Sequence, residues 1–544
     1  MRSRAIVVGA VLGVSVVSGG WLVRSGLTGA FSTSAGARLF DQVLEHVARD
    51  YVDSLPVGEL YQHAVSGMLE QLDDPNSVYL SEERLSRLDE QTSGNYTGLG
   101  LQFDVRGGWI TVIAARRNSP AERAGISTGD RILEIDGSST AGLTPDEAVR
   151  AMRGEPGTTV RLTVERAADG QRVPLVLRRS EIHVGSVSRT AMLPGDVGYV
   201  DLNVFGDSSA AEVAAAVDSL RARSARGLIL DLRRNPGGLL AQGVAVADLF
   251  LDEGRKILEM KGRTPEANAV YADQAPQRWR DLPVVVLVNE GTASAAEIVA
   301  GALQDHDRAV VVGRTSFGKG SAQSLFRLDA GGALKLTTAR WYTPLGRAIG
   351  RPFGAELPAE DEEELESAPP AERREEFRTP AGRIVYGGGG ITPDVTVGDT
   401  VPPAAELAFQ HDLGAQTPLF REVLTDYALS LRGKAAVASP DFVITPGLRE
   451  ALWDHARARG VDVERAVYDS AAPLIDRLLS QEIARYVFGG ETSVRRLAQN
   501  DRGVQVALSL LGQASTTEEL LRAAERRTES GGGEGGVAAR RAAP

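Results

Sequence analysis

At 544 residues the chain exceeds one ordinary domain of roughly 100–200 residues, and its 42% hydrophobic and 24% charged content is that of a folded, multidomain protein rather than a disordered one. Sixty basic residues against 72 acidic ones give a formal net charge of −12, which argues against a nucleic-acid partner. The chain has no cysteine, which excludes disulfides, thiolate metal sites and thiol catalysis, and its 6 histidines have no metal-ligand spacing, so no metal or other cofactor is expected.

Arg2 and Arg4 precede an apolar run over residues 5–23 that is broken only by glycine and serine. A charged start before such a run reads as an export signal, long enough to span a bilayer. The arginines favour an orientation that leaves everything after residue 30 outside the cytoplasm, in the periplasm or cell envelope. Residues 1–30 thus form a signal peptide or a membrane anchor, a choice that stays open, and they are the only membrane contact expected. Leu39, Val43, Val47 and Tyr51, then Leu60, Ala64, Met68 and Leu72, give residues 36–92 a helical period.

From residue 94 the texture changes to short strands (101–105, 109–113, 131–135, 159–164) and one helix, 145–152. Residues 184–400 alternate strands (197–205, 227–232, 283–289, 309–313) with helices (210–222, one from about 238, and 295–304), which implies a layered α/β domain. Within it, residues 356–374 are acidic and read as a solvated surface insertion. Helical periodicity returns over 404–527, and 528–544 reads as a flexible glycine-rich tail.

Gly98-Leu99-Gly100-Leu101 precedes a strand, and Gly129-Asp130-Arg131-Ile132-Leu133-Glu134-Ile135-Asp136-Gly137 follows Ser119-Pro120-Ala121. Alone, the first glycines would read as a tight hairpin. With the second stretch, residues 94–182 resemble a PDZ domain. The resemblance implies that the backbone amides of Gly98, Leu99, Gly100 and Leu101 hold a peptide's terminal carboxylate while the peptide adds a strand beside 101–103. The helix at 145–152 would be the other wall, and an apolar groove implies apolar C-terminal residues in the ligand.

Asn289-Glu290-Gly291-Thr292-Ala293-Ser294-Ala295-Ala296-Glu297-Ile298 follows an apolar strand and opens a helix. Ser294 therefore stands at a helix N-terminus, where unpaired N–H groups and the helix dipole suit an oxygen nucleophile and an oxyanion. Such a serine is ordinarily an N-cap. A serine nucleophile needs a base, and Lys319, in Thr315-Ser316-Phe317-Gly318-Lys319-Gly320, qualifies if burial disfavours its ammonium. His306 lies twelve residues beyond Ser294, which at ~1.5 Å per helical residue is about 18 Å, too far to serve.

Together the two stretches resemble the carboxyl-terminal processing peptidases (tail-specific proteases), serine endopeptidases with a Ser/Lys dyad and an inserted PDZ domain. Leu230-Asp231-Leu232-Arg233-Arg234-Asn235-Pro236-Gly237-Gly238, Gly301-Ala302-Leu303-Gln304-Asp305, Leu336-Thr337-Thr338-Ala339-Arg340-Trp341-Tyr342-Thr343-Pro344 and Gly390-Ile391-Thr392-Pro393-Asp394 also match, so the likeness covers residues 36–400. It implies a multidomain α/β (α+β) protein: a crotonase-like layered β/α protease core over 184–400, the PDZ domain and helical N- and C-terminal segments. Carried over by position, Ser294 is the nucleophile, Lys319 the general base and Gln323 the group that orients the lysine amine. The oxyanion hole takes the Ala295 N–H and a glycine N–H, for which Gly238 is chosen. Asp231 and Arg233 are expected to support the fold rather than the chemistry.

The expected partners are protein or peptide substrates with free C-termini, cleaved near those ends. An adaptor or activator protein and a homo-oligomer built through the flanking helices are compatible with the same reading. Whether the PDZ segment captures substrate or gates the cleft stays open, as does the role of 404–527. The competing readings are a non-catalytic peptide-binding scaffold and a crotonase-like acyl-CoA enzyme, the second disfavoured by export.

Overall fold

Val284–Val288 and Ala309–Gly313 are valine-rich runs without a polar member, as strands buried on both faces require. They lie inside a six-stranded sheet ordered Val187–Leu193, Val197–Leu202, Gly227–Asp231, Val284–Val288, Ala309–Gly313, Val395–Thr396. The first pair is antiparallel and the rest are parallel. Successive side chains point to opposite faces, so each strand feeds two cores. On one face Val200, Leu228, Leu230, Val286 and Val311 pack under the helices Ser209–Ala222, Leu240–Asp248 and Ala295–Asp305. On the other, Tyr199, Ile229, Val285, Leu287 and Val312 pack under the helices Gly490–Asn500, Arg502–Leu511 and Thr517–Ser530, through Val494, Val504, Ala507, Leu510 and Leu520. The end of the C-terminal region is therefore the second helical layer of this six-stranded sheet, and its last helix continues to Ser530, past the tail boundary expected at 528.

The computed structural model describes residues 33–116, 118–167, 169–329, 331–351, 374–398 and 402–530. The apolar run over 5–23, the acidic insertion up to residue 373 and the tail from 531 lie outside the described residues. Among the described residues no helix is long and apolar enough to cross a membrane.

The chain divides into two units, one of residues through Ser81 with Leu325–Leu336, the other of Glu82–Ser324 and the chain from Thr337. In the first, helices Thr33–Asp50 and Val57–Glu70 precede a short strand, Val78–Leu80, paired antiparallel with Lys335, Leu334 and Ala333. Leu60 and Leu69 are buried, while Leu39, Phe40, Val43, Tyr61 and Met68 of the same helices are exposed. The helix Glu82–Ser93, the last part of the expected 36–92 segment, belongs to the second unit.

In the second unit the PDZ-like segment forms an antiparallel sheet ordered Leu101–Arg106, Trp109–Ala115, Arg131–Ile135, Thr159–Glu165, Arg172–Arg178, with Leu101–Arg106 at its edge. Its helix Pro145–Met152 starts at a reciprocal Thr144/Glu147 capping box and buries Ala148 and Met152. Asn95–Gly98 pairs antiparallel with Ser180–His183, so the segment enters and leaves through a two-stranded neck. Asp130 of the second PDZ stretch is buried and bonds Arg166 at 2.7 Å and the Ser127 and Ala167 N–H groups, which fixes a loop. The helices Ala404–Leu413, Thr417–Ser430, Pro446–Ala458 and Ala472–Ile483 enclose a separate core around Phe409, Phe420, Leu452, Tyr468 and Ile475.

Candidate active site

The strand Val284–Val288 ends at Asn289, whose carbonyl accepts the Thr292 N–H at 2.8 Å. Thr292 Oγ1 donates to the Leu232 carbonyl at 2.8 Å, and Ala293 N–H to the Asn235 carbonyl at 2.9 Å. These bonds tie the turn to the neighbouring loop, and the chain reverses at Ser294 with φ 55° and ψ −118°, a conformation non-glycine residues rarely adopt. The reversal sets Ser294, half-buried, at the N-cap of the fully buried helix Ala295–Asp305.

One residue organises what surrounds it. Glu297, at 0% exposure, accepts four hydrogen bonds: Ser294 N–H (2.8 Å) and Lys319 N–H (2.9 Å) on Oε2, and Ser316 Oγ–H (2.5 Å) and Gly318 N–H (2.6 Å) on Oε1. The backbones of the expected nucleophile and the expected base thus meet on one carboxylate oxygen. Burial pushes the Glu297 carboxyl above its ordinary value, and the four donors work in the opposite direction by favouring the ionised form. Further bonds close the lysine loop on the serine turn: Phe317 N–H donates to the Thr292 carbonyl at 2.9 Å, and Ser316 Oγ accepts the Ile391 N–H at 2.6 Å. Gly318, at φ +88°, leaves no room for a side chain, because a Cβ there would stand 3.0 Å from the Gly390 nitrogen.

Glu297 is the functional residue that reading the sequence missed. Its signal was present: Ser294 and Glu297 have the S-x-x-E spacing of a capping box, here in the half where the carboxylate takes the cap residue's own N–H.

Lys319 is half-buried, and its carbonyl accepts Trp341 Nε1–H at 3.0 Å. Gln323 lies on the strand Ser321–Arg327, and its Nε2 donates to Ser321 Oγ (2.9 Å) and Thr337 Oγ1 (3.2 Å), which directs its carbonyl oxygen away from those hydroxyls. His306 terminates the serine helix, with Nε2 at 2.7 Å from the Lys256 carbonyl, away from the Ser294 end.

The loop from Leu232 to Gly238 forms the facing wall. Asn235 Nδ2 donates to the Leu202 carbonyl at 2.7 Å, and its Oδ1 accepts Gly237 N–H at 2.9 Å. That commits the Gly237 amide. The Gly237 carbonyl accepts Phe205 N–H at 2.9 Å, so across the planar trans peptide the Gly238 N–H points the opposite way, off the Phe205 segment. Gly237 is held at φ +95° against the serine: a Cβ on it would lie 2.7 Å from Ser294 Cβ and 2.9 Å from the Ala295 nitrogen. The Ala296 and Glu297 N–H groups return to the Ala293 and Ser294 carbonyls, whereas the Ala295 and Gly238 N–H groups have no acceptor among the described residues. Asp231 and Arg233 pair at 2.6 Å beneath this loop, and Tyr199 O–H donates to Asp231 at 2.7 Å, so both stand in its foundation.

At the PDZ end, Gly98 closes the neck strand opposite Ser180, and Leu99 is buried. The Leu99 carbonyl accepts Ala121 N–H (3.0 Å) and the Gly100 carbonyl accepts Arg116 N–H (2.8 Å). By the same peptide geometry the Gly100 and Leu101 N–H groups point away from those partners, toward the open edge of the sheet. Gly100 sits at φ +76°, and a Cβ there would fall 2.2 Å from Ser119 Cβ.

Three family models match the chain: peptidase family S41 over residues 196–354, a PDZ domain over 111–166, and the N-terminal domain of the activating protease CtpB over 30–84. The carboxy-terminal processing protease CtpA of Bacillus subtilis is 37% identical over 329 residues, 60% of this chain and 70% of that protein. A carboxy-terminal-processing protease of Bartonella bacilliformis is 38% identical over 314 residues, 57% of this chain and 71% of that one. Among solved structures, a photosystem II D1 C-terminal processing protease aligns at 28% identity and a TM-score of 0.35, over 67% of this chain and 94% of its own.

Proposed function

The chain belongs to the carboxy-terminal processing proteases of peptidase family S41, and we propose that it cleaves protein substrates near their C-termini with Ser294 as nucleophile and Lys319 as general base. The observation that carries this reading is the Glu297 carboxylate, which draws the Ser294 and Lys319 backbones together while two unengaged N–H groups flank the serine.

In the first step the neutral Lys319 amine takes the Ser294 hydroxyl proton as Oγ adds to the scissile carbonyl. The negative charge that develops on the carbonyl oxygen is received by the Gly238 and Ala295 N–H groups, fixed before the reaction and aided by the N-terminal end of the serine helix. The tetrahedral intermediate collapses as the Lys319 ammonium gives its proton to the leaving amine, which departs and leaves an ester on Ser294. Water then adds to the ester, losing its proton to Lys319, and the second collapse returns that proton to Ser294 and frees the acid. Gln323 accepts a hydrogen bond from the lysine amine through its carbonyl oxygen and so orients it.

The PDZ groove takes the substrate's C-terminal carboxylate on the Gly100 and Leu101 amides, with the peptide paired along Leu101–Arg106. The apolar run over 5–23 supports export, with the protease outside the cytoplasm, and the exposed apolar face of the helices Thr33–Asp50 and Val57–Glu70 supports a homo-oligomer. The test is hydrolysis of an unfolded protein by the wild type, Ser294→Ala and Lys319→Ala. Cleavage by the wild type alone is expected; cleavage that survives both substitutions would refute the dyad, and a wild type that binds peptide but never cuts would favour the scaffold.

A further inference from the structure

The loop that presents Gly238 is anchored from an unexpected side. Arg233 opens it, and its guanidinium is gripped twice. Asp231 takes Nε at 2.9 Å and Nη2 at 2.6 Å, while Asp501, 268 positions further along the chain, takes Nη1 at 2.8 Å. Burial works against the Arg233 cation, but the two carboxylates outweigh it and raise its pKa above the ordinary arginine value. Asp231 is in turn held by Tyr199 O–H. Beyond Arg233, the Arg234 N–H donates to Asn289 Oδ1 at 2.9 Å, and Gly291 of the serine turn leaves room for Arg234, since a Cβ on it would lie 2.9 Å from the Arg234 Cα. A shift of Arg233 is therefore transmitted to both walls of the site.

Asp501 belongs to the C-terminal layer. It is the N-cap of the helix Arg502–Leu511, with its side chain accepting Val504 N–H at 3.0 Å, and that helix lies on the face of the sheet opposite the serine helix. Capping does not need a charge, since asparagine and serine cap as well as aspartate. Losing one partner of a largely buried ion pair is costly when it leaves a charge uncompensated, but at this pair, 24% and 17% exposed, Asp231 still neutralises the same guanidinium. What the second carboxylate adds is direction: it fixes the free edge of a fork whose other edge is bound.

We propose that Asp501 is a positioning residue for the oxyanion loop, and hence that the C-terminal helical layer is a working part of the protease. This rests on the reading of Ser294 and Gly238 given above. The full chain is compared with Asp501→Asn, which keeps the cap and removes the charge, and Asp501→Ala, which removes both. Measured are kcat and KM on a short peptide, thermal midpoint, and affinity for a peptide boronate, which forms a tetrahedral adduct on an active serine.

Asp501→Asn is expected to lower kcat about tenfold with KM within twofold, to weaken boronate binding by a similar factor, and to leave the midpoint within about 2 °C. Asp501→Ala should match that kcat loss and also melt lower. If Asp501→Asn retains wild-type kcat or boronate affinity, or if activity merely follows the midpoint across the two variants, Asp501 is a structural cap and the proposal fails. A wild type without Ser294-dependent cleavage sinks the reading of the site itself, and this assignment with it.

Discussion

Two places in this chain carry the proposed function, and they are built by opposite means. At the PDZ edge the backbone itself supplies the proposed contacts: Gly100 at φ +76° packs against Ser119, and the carbonyls of Leu99 and Gly100 are tied inward so that the following amides face out. Around Ser294 the chain is bound to a buried charge, with four donors from the serine turn and the lysine loop converging on Glu297. The first needs only conformational freedom at one residue. The second needs a group that is costly to bury unless every partner is in place, so its failure should be abrupt.

The largest effect that would sharpen this contrast is Glu297→Gln. A side-chain amide keeps one acceptor oxygen where the carboxylate has two, so at least one pair of donors loses its partner, at about 1–3 kcal/mol per orphaned group. The expected result is a fall in kcat on the order of a hundredfold and a lower thermal midpoint, with binding of a C-terminal peptide to the PDZ groove unchanged. Equal activity of the variant would mean that the carboxylate only fills space.

Next in size is Gly237→Ala, whose Cβ would meet Ser294 Cβ, the Ala293 carbonyl and the Ala295 nitrogen, all within 3 Å. Part of the loop must withdraw, and a loss of one oxyanion donor corresponds to about a hundredfold in kcat. A drop in kcat without a change in peptide binding supports the assignment, and an unaffected kcat would move the oxyanion hole elsewhere.

Gly100→Ala should do the converse. It introduces a clash with Ser119 and strains a left-handed residue, so titration with a free-carboxylate peptide should show at least a tenfold loss of affinity. Cleavage of a short C-terminally amidated peptide separates the two PDZ roles. If the groove only captures substrate, that cleavage is unchanged in the variant. If it gates the cleft, an added carboxylate peptide stimulates the wild type and not Gly100→Ala.

The parts of the chain that were legible are those in which structure is local. Ser294, Lys319, Gly238 and Gly100 were singled out by the motifs around them, since each alone reads as an ordinary cap or turn residue, and the strands Val284–Val288 and Ala309–Gly313 are apolar throughout because both faces are covered. Glu297 was visible as a capping-box partner, but that both its oxygens would bind the lysine loop depends on a tertiary contact. The strands Lys256–Gly262 and Ala333–Tyr342 mix lysine, glutamate and arginine with apolar residues, and no apolar run marked them. Helical periodicity over 490–530 disclosed an apolar face without disclosing what covers it, and the pairing of Asp501 with Arg233 joins distant segments that no short motif links.

The smallest effect tests whether buried carboxylates here are held for function or merely tolerated. Asp273 is also buried, at 2% exposure, yet Oδ1 accepts only the Ala275 N–H among the described residues, and the Asp248 carboxyl rather than a donor stands beside it. Burial, with the Asp248 and Asp252 carboxylates nearby, pushes its pKa up to about 6. A carboxyl whose folded value lies above its unfolded one binds its proton more tightly when folded. Its contribution to stability is therefore complete below about pH 4 and is lost as pH rises through 6, about 2–3 kcal/mol in all. Asp273→Asn removes that dependence, since the amide stays neutral and can donate toward Asp248. The variant should melt above the wild type at pH 7.5, and the gap should close by pH 4 while cleavage at neutral pH stays the same. If Asp273→Asn instead destabilises the protein at neutral pH, Asp273 has a partner that stabilises its charge, and the contrast with Glu297 disappears.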